Sequence, residues 1–224
     1  MSQSDVIALP TPTKTSTATW VGLFLSLFSM LIIRQVARLI APDPGPGGVF
    51  LKEILIWVSA GTLLWLIAKK ERLPLSSIGI GTSKLWKSVG WALVAGALSL
   101  AAGGILAHLT QYGDGPASRA FDKLPLWLMT MIVVRAGVFE ELFYRGYAIE
   151  RLQLVGLPRT AAISLPLIIF SVGHWTGGVS NILIAFVIGA ILTGFYLWRR
   201  DLPSNMLAHF LVDFVANVLP RLFG

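Results

Sequence analysis

Runs of mostly apolar residues, each about 18 to 25 residues long, recur along this chain and constrain its fold more than any other feature. A helix of that length crosses a hydrocarbon core of about 30 Å. Of the 224 residues, 55% are hydrophobic and 13% are charged, whereas about a quarter are charged in ordinary soluble domains. Because a soluble fold cannot bury this much apolar surface, the sequence predicts a protein embedded in the lipid bilayer.

The apolar runs predict an all-α fold, a polytopic transmembrane bundle of about seven spans, with eight as the alternative count. The predicted spans are 18–39, 49–68, 86–109, 124–149, 160–174, 179–198 and 205–222. The segment 1–17 is predicted to be a polar N-terminal tail, because it is rich in Ser and Thr. The short connections and the lack of an internal repeat predict a single transmembrane domain, 18–224.

The positive charges are distributed unevenly between the two sides of the predicted bundle. The loops after the second, fourth and sixth spans, together with Lys14, hold ten of the 18 Lys and Arg residues, whereas the opposite side holds six. Because short loops rich in Lys and Arg stay in the cytoplasm, we predict a cytoplasmic N terminus. The net charge is +7, but the basic residues flank apolar runs and form no concentrated basic face, so nucleic acid is not an expected partner.

The fourth predicted span, in the sequence EELFYR, carries Glu140, Glu141 and Arg145 inside an otherwise apolar helix. Ionisable side chains within a span are costly, so they are expected to face the protein interior and to have a function. Glu141 and Arg145 are four residues apart and are predicted to form an ion pair, whereas Glu140 points about 100° away. Glu140 is then the freer carboxylate, without an obvious partner on its own helix, and is predicted to act as a general base. The alternative is a polar cluster that only packs helices.

Two further segments place polar residues at helical spacing. FSVGH puts Phe170 and His174 four residues apart at the end of the fifth span, and HFLVD puts His209 and Asp213 four apart in the last span. Each pair lies along one helical face. Asp213 either orients His209, or both side chains project independently into a shared cavity, and the sequence leaves both arrangements open.

Three other polar residues lie in or near the predicted spans. Arg135 is a further cation within the fourth span, with an acid on another helix as its candidate partner. Asn181 and Asn205 lie near span ends, where we expect an ordinary capping role in contact with water.

EELFYR, FSVGH and HFLVD, in this order and each on a predicted membrane helix, resemble the three signatures of the CAAX protease and bacteriocin-processing family, also called CPBP or Abi. The resemblance spans about 124–222, which would be a four-helix catalytic core. It implies an intramembrane glutamate endopeptidase, as in the Ras-converting CAAX endopeptidases, that needs no metal or other cofactor. Its partners would be the lipid bilayer of a bacterial-type plasma membrane and a peptide or protein substrate at the membrane.

The resemblance also implies roles for the motif residues. Glu140 and His174 would activate a water molecule that attacks the scissile carbonyl, and His209 and Asp213 would stabilise the oxyanion. Best-studied eukaryotic-like members carry Asn where this chain has Asp213, and an ionised Asp cannot donate a hydrogen bond. Asp213 must therefore be protonated or act by orienting His209. The residues that would arrange the site are Glu141 and Arg145.

Other functions remain open at this point. A zinc enzyme is one alternative, and its ligands would be Glu140, Glu141, His174 and His209. A non-catalytic membrane peptide-binding protein or chaperone is another, and a transporter with a proton relay is a third. The chain has no HExxH motif, no Gly-x-Ser-Gly-like motif, no paired aspartates within a span and no cysteine, which disfavours other intramembrane proteases and a cysteine nucleophile.

The charge-based topology creates a geometric conflict within the predicted site. It places Glu140 toward the cytoplasmic half of the fourth span, but His174 at the opposite end of the fifth. For both residues to reach one site, the fifth span must be short, tilted or broken.

Overall fold

A computed structural model describes residues 16–41, 45–112 and 123–223, and these ranges form seven helices and no strands. The helices in chain order are α1 (Thr17–Ile40), α2 (Pro46–Trp65, continued by the π-helical turn Leu66–Glu71), α3 (Leu85–Leu109), α4 (Leu126–Arg135, Ala136–Ile149 and Glu150–Leu154), α5 (Arg159–Val172), α6 (Gly178–Arg199) and α7 (Leu202–Asp213, Phe214–Val218 and Leu219–Phe223). Short 3-10 turns occupy Leu75–Ile78 and Trp175–Gly177. The predicted all-α bundle is confirmed.

Five of the described helices are long and apolar enough to cross a membrane, namely α1, α2 with its extension, α3, α6 and α7. Helix α4 carries the charged motif instead. Helix α5 has 14 residues and contains Pro166, so it is about 21 Å long, shorter than the roughly 30 Å of a hydrocarbon core. The expectation that the fifth span is short is therefore confirmed.

Helix α1 begins at Thr17 because Ser16 caps it. The Ser16 hydroxyl accepts a hydrogen bond from the backbone nitrogen of Thr19 at 3.2 Å, which satisfies one of the free N–H groups of the first turn. The predicted tail, 1–17, lies almost wholly outside the described residues, and its assignment stays a prediction.

Helix α4 is the centre of the bundle. Every residue of its segment Ala136–Ile149 except Val138 is buried, and α1, α2, α5 and α7 pack around it. Helix α3 packs against α6 and α7 at the side. A Cβ atom on Gly137 would lie 2.7 Å from the backbone nitrogen of Phe210, so only glycine permits this close approach of α4 and α7.

A buried polar network ties the loop after α2 to the far end of α4. The Arg151 Nε donates to Glu71 Oε2 at 3.0 Å, and its Nη2 donates to the Ser77 hydroxyl at 3.0 Å. The Tyr147 hydroxyl donates to the other Glu71 oxygen at 2.8 Å. Because each buried charge of this network has a partner, the network fixes the C-terminal end of α4. The residues of the candidate site lie in the middle of the same helix.

Candidate active site

The middle of α4 is π-helical, and this changes which of its residues face the same way. In an α-helix, residues five apart lie on different faces, but the wider turn of a π-helix, with its i to i+5 bonds, brings them together. Glu140 accepts a hydrogen bond from Nη1 of Arg135, five residues earlier. The expectation that Glu140 lacks a partner on its own helix was therefore wrong.

Arg135 joins Glu140 to a second carboxylate on α2. Its Nε donates to Oε2 of Glu53 at 2.8 Å, and Glu53 is fully buried. The prediction that Arg135 pairs with an acid on another helix is therefore confirmed. The Nζ of Lys52 lies 3.6 Å from the other Glu53 oxygen. Arg135 is thus shared between two carboxylates, and Glu140 is not its only counter-ion.

Glu141 organises a separate, fully buried network. Its Oε1 accepts hydrogen bonds from Arg145 Nη1 at 2.8 Å and from His209 Nδ1 at 2.9 Å. The predicted ion pair of Glu141 and Arg145 is confirmed. Its Oε2 accepts a hydrogen bond from Asn205 Nδ2 at 3.2 Å. The predicted capping role of Asn205 was wrong, because Asp201 caps α7 and Asn205 is buried against Glu141.

Arg145 uses its donors entirely within the bundle. Besides Glu141, it donates to the Thr193 hydroxyl at 3.3 Å and to the Gly189 carbonyl at 3.1 Å. Its guanidinium also lies 4.3 Å from the centre of the Phe170 ring. A Cβ on Gly189 would lie 3.0 Å from Nη2 of Arg145, so glycine there lets α6 approach the guanidinium. These contacts fit a residue that arranges the site.

His174 lies in the turn after α5 and is fixed from several sides. Its Nδ1 lies 2.9 Å from the Phe170 carbonyl oxygen, and because a carbonyl only accepts, Nδ1 carries the proton and Nε2 is free to accept one. Nδ2 of Asn181 donates to the His174 carbonyl at 3.1 Å. The Arg34 side chain, on α1, donates to the Gly173 carbonyl. Asn181 therefore holds the His174 turn and is not the simple cap that we expected.

Glu140 and His174 line the same small cavity. The space open to the centre of a water molecule measures about 10 Å³, which is close to what a single water requires. The lining residues are Met30, Leu31, Arg34, Glu140, Tyr144, Phe170, Gly173 and His174. The conflict in the predicted topology is resolved because α5 is short and because Glu140 lies midway along α4.

His209 and Asp213 lie outside the wall of this cavity. The Phe170 ring contacts both histidines, with its centroid 4.9 Å from that of His174 and 6.1 Å from that of His209. Oδ2 of Asp213 lies 3.7 Å from Nε2 of His209, which fits Asp213 as the residue that orients His209. The predicted residues thus form two adjoining clusters that share Phe170, and the oxyanion role of His209 and Asp213 stays a prediction.

Sequence reasoning missed three residues of the site. Glu53 and Arg34 both lie inside predicted spans, so the rule that selected Glu140 would also have found them. Arg34 was instead counted among the charges that flank spans, and Glu53 was not singled out. Tyr144 also lines the cavity, and its position four residues after Glu140 was the signal for it in the sequence. The signal for all three was present in the sequence.

The four ligands of the zinc alternative are divided between the two clusters. Glu140 and His174 line the cavity, while Glu141 and His209 contact each other and do not line it. Within the described ranges, no three acidic or histidine side chains are grouped as a metal site requires.

Comparison with protein families matches residues 122–215 to the family described as type II CAAX prenyl endopeptidase Rce1-like. The matched segment covers α4, α5, α6 and the first part of α7, and it contains all six predicted site residues. The match confirms the resemblance to the CAAX protease family. No curated protein and no solved structure matches the chain. Arg34 and Glu53 lie outside the matched segment, on α1 and α2.

Proposed function

Because residues 122–215 belong to the type II CAAX prenyl endopeptidase Rce1-like family, we propose that this membrane protease uses Glu140 and His174 to activate a water molecule. The observation that carries the proposal is the cavity for one water between these two side chains. Both residues line this cavity, and each has an atom that can accept a proton, a carboxylate oxygen of Glu140 and Nε2 of His174. A water bound between two acceptors is oriented and polarised for attack.

The proposed reaction is a direct hydrolysis. The water oxygen attacks the scissile carbonyl carbon as its proton passes to Glu140 or to Nε2 of His174. The new C–O bond forms first, and the C–N bond then breaks as the same proton is delivered to the leaving amine. Arg135 holds Glu140 in place and also contacts Glu53.

The tetrahedral intermediate needs hydrogen-bond donors for its oxyanion. The family resemblance assigns this role to His209 and Asp213. The donor side chains that line the cavity itself are Arg34 and Tyr144, so we include them among the groups that contact the developing charge. Glu141 and Arg145 act by holding His209 and Phe170 in place.

The proposed substrate is a peptide or protein segment at the membrane, and the proposed orientation has a cytoplasmic N terminus in a bacterial-type plasma membrane. The substrate classes to be tested are prenylated C-terminal tails, bacteriocin or signalling-peptide precursors, and C-terminal sorting tails. All three would bring a peptide bond close to the bilayer in which the bundle lies.

The experiment compares purified wild-type protein with Glu140→Gln on a panel of these peptides, with and without a metal chelator. Glu150→Gln is the matched control, because Glu150 is on the same helix but contacts Tyr196 and Arg200 instead of the cavity. We expect chelator-resistant cleavage that falls at least about 100-fold in Glu140→Gln and stays near the wild-type rate in Glu150→Gln.

Two outcomes would contradict the proposal. Cleavage that survives in a folded Glu140→Gln variant would mean that Glu140 is not the base. Peptides that bind tightly to the wild type but are never cleaved would instead favour the peptide-binding alternative.

A further inference from the structure

A groove at the end of the bundle lies between the start of α3 and the end of α6. Its volume is about 450 Å³, and its walls are Trp86, Lys87, Gly90, Trp91, Val94 and Arg199. None of these residues lines the catalytic cavity, and none lies in the three sequence motifs. The groove is therefore a separate feature of the molecule.

The groove is positively charged. Lys87 and Arg199 contribute two cations, and its lining contains no acidic side chain. The Nε of Arg199 is buried and has no hydrogen-bond partner among the described residues. The nearest acid along the chain, Asp201, is occupied by the Ser88 hydroxyl at 2.7 Å and by the backbone nitrogen of Ser204. An anion in the groove would pair with charges that have no counter-ion among the described residues.

Aromatic rings contact both cations of the groove. The Arg199 guanidinium lies 5.1 Å from the centre of the Trp91 ring and 5.5 Å from that of Trp198, and Lys87 Nζ lies 5.4 Å from that of Trp86. Trp86 and Trp198 are 69% and 63% exposed. Exposed tryptophans and basic residues at helix ends are typical of the headgroup region of a bilayer.

The groove continues as an apolar strip along α3. Trp86, Gly90 and Val94 are spaced four residues apart, so they share one face of the helix. A Cβ atom on Gly90 would meet nothing within 4 Å, which leaves open space between the charged end and Val94. A ligand with a negative head and an apolar tail matches this combination, whereas a free anion matches only its charged end.

We propose that this groove binds an anionic phospholipid, with its phosphate against Lys87 and Arg199 and an acyl chain over Gly90 and Val94. Basic pockets between transmembrane helices bind anionic headgroups in this way. The proposal is independent of the catalytic mechanism, because it uses no residue of the active site.

The test measures binding of phosphatidylglycerol and phosphatidylcholine to the purified full-length protein by native mass spectrometry in detergent. The variant Lys87→Gln/Arg199→Gln removes both cations, and Lys69→Gln/Lys70→Gln is the control with the same change in net charge outside the groove. We expect phosphatidylglycerol to bind the groove variant about 30-fold more weakly than the wild type, because each of the two lost charges contributes about 1 kcal/mol to binding. The control variant should bind this lipid as tightly as the wild type does.

A second variant, Gly90→Leu, fills the apolar strip without changing a charge. It is expected to weaken phosphatidylglycerol binding while the fold is unaffected, because space for the side chain is open. Three results would each overturn the proposal. The first is an equal loss of phosphatidylglycerol binding in the groove variant and the control, and the second is equal binding of the two lipids by the wild type. The third is complete displacement of phosphatidylglycerol by millimolar inorganic phosphate.

Discussion

Arg34 belongs to the site in the structure but to none of the three motifs, so its substitution tests the structure directly. It lies on α1, outside residues 122–215 that match the family. It nevertheless lines the catalytic cavity and donates a hydrogen bond to the carbonyl of Gly173, the residue directly before His174. The substitution Arg34→Gln removes the charge and shortens the side chain. The turn that carries His174 then loses its support from α1.

The size of the effect follows from this one charged hydrogen bond. A hydrogen bond from a charged donor contributes about 1.5 to 3 kcal/mol. If all of it serves to hold His174 in its reactive position, Arg34→Gln lowers kcat by about 10- to 150-fold, at 1.36 kcal/mol for each factor of ten. The KM for a peptide should change little, because both proposed roles of Arg34, holding His174 and donating to the developing charge, act on the transition state.

Arg38→Gln is the matched control. Arg38 is one turn further along α1 and lies 5.1 Å from the Trp175 ring, but it does not line the cavity. An exposed cation–π contact contributes about 0.5 to 1 kcal/mol, so kcat should fall less than about five-fold. Arg34→Lys, which keeps the charge, should restore part of the activity.

The assay is steady-state cleavage of a peptide by each variant in the same lipid nanodiscs, with the thermal midpoint recorded for each. Equal kcat values for Arg34→Gln and Arg38→Gln would refute the positioning role. A higher KM at unchanged kcat would also refute it, because Arg34 would then bind substrate in the ground state.

Two further predictions concern the packing and the charges around the site. Gly189→Ala places a methyl group 3.0 Å from the Arg145 guanidinium and should destabilise the protein by about 1 to 3 kcal/mol. Gly194→Ala, on the same helix with nothing within 4 Å, should be neutral or slightly stabilising. Glu53→Gln leaves Arg135 with one carboxylate partner, so both stability and cleavage should decrease, with up to about 3 to 5 kcal/mol lost.

These packing and charge predictions are checked by thermal unfolding in detergent, followed by cleavage assays on the variants that remain folded. Equal midpoints for the two alanine variants would contradict the close approach of α6 and Arg145. A Glu53→Gln variant with wild-type stability and activity would show that Arg135 does not need its second counter-ion.

The sequence predicted what depends on local spacing. The helices follow from the apolar runs, and the pair of Glu141 and Arg145 follows from their separation of four residues. The family motifs pointed to His174 and His209 before any geometry was known. These features are encoded by neighbours along the chain, so periodicity and motif order were enough to find them.

The sequence could not predict what depends on an irregular backbone or on contacts between helices. The pair of Arg135 and Glu140 needs the π-helical turn of α4, and no residue pattern that we used indicates such a turn. His174 lines the cavity, whereas His209 contacts Glu141 outside it. Only the packing of α5 and α7 against α4 decides this.

The most direct test of the central claim is a single turnover in water labelled with ¹⁸O, with enzyme in excess over peptide. If Glu140 and His174 activate water for direct attack, the new carboxyl terminus of the product gains one ¹⁸O atom, and mass spectrometry finds none in Glu140. Incorporation of ¹⁸O into the Glu140 side chain would contradict the account, because it would show that Glu140 attacks the substrate itself and forms a covalent intermediate.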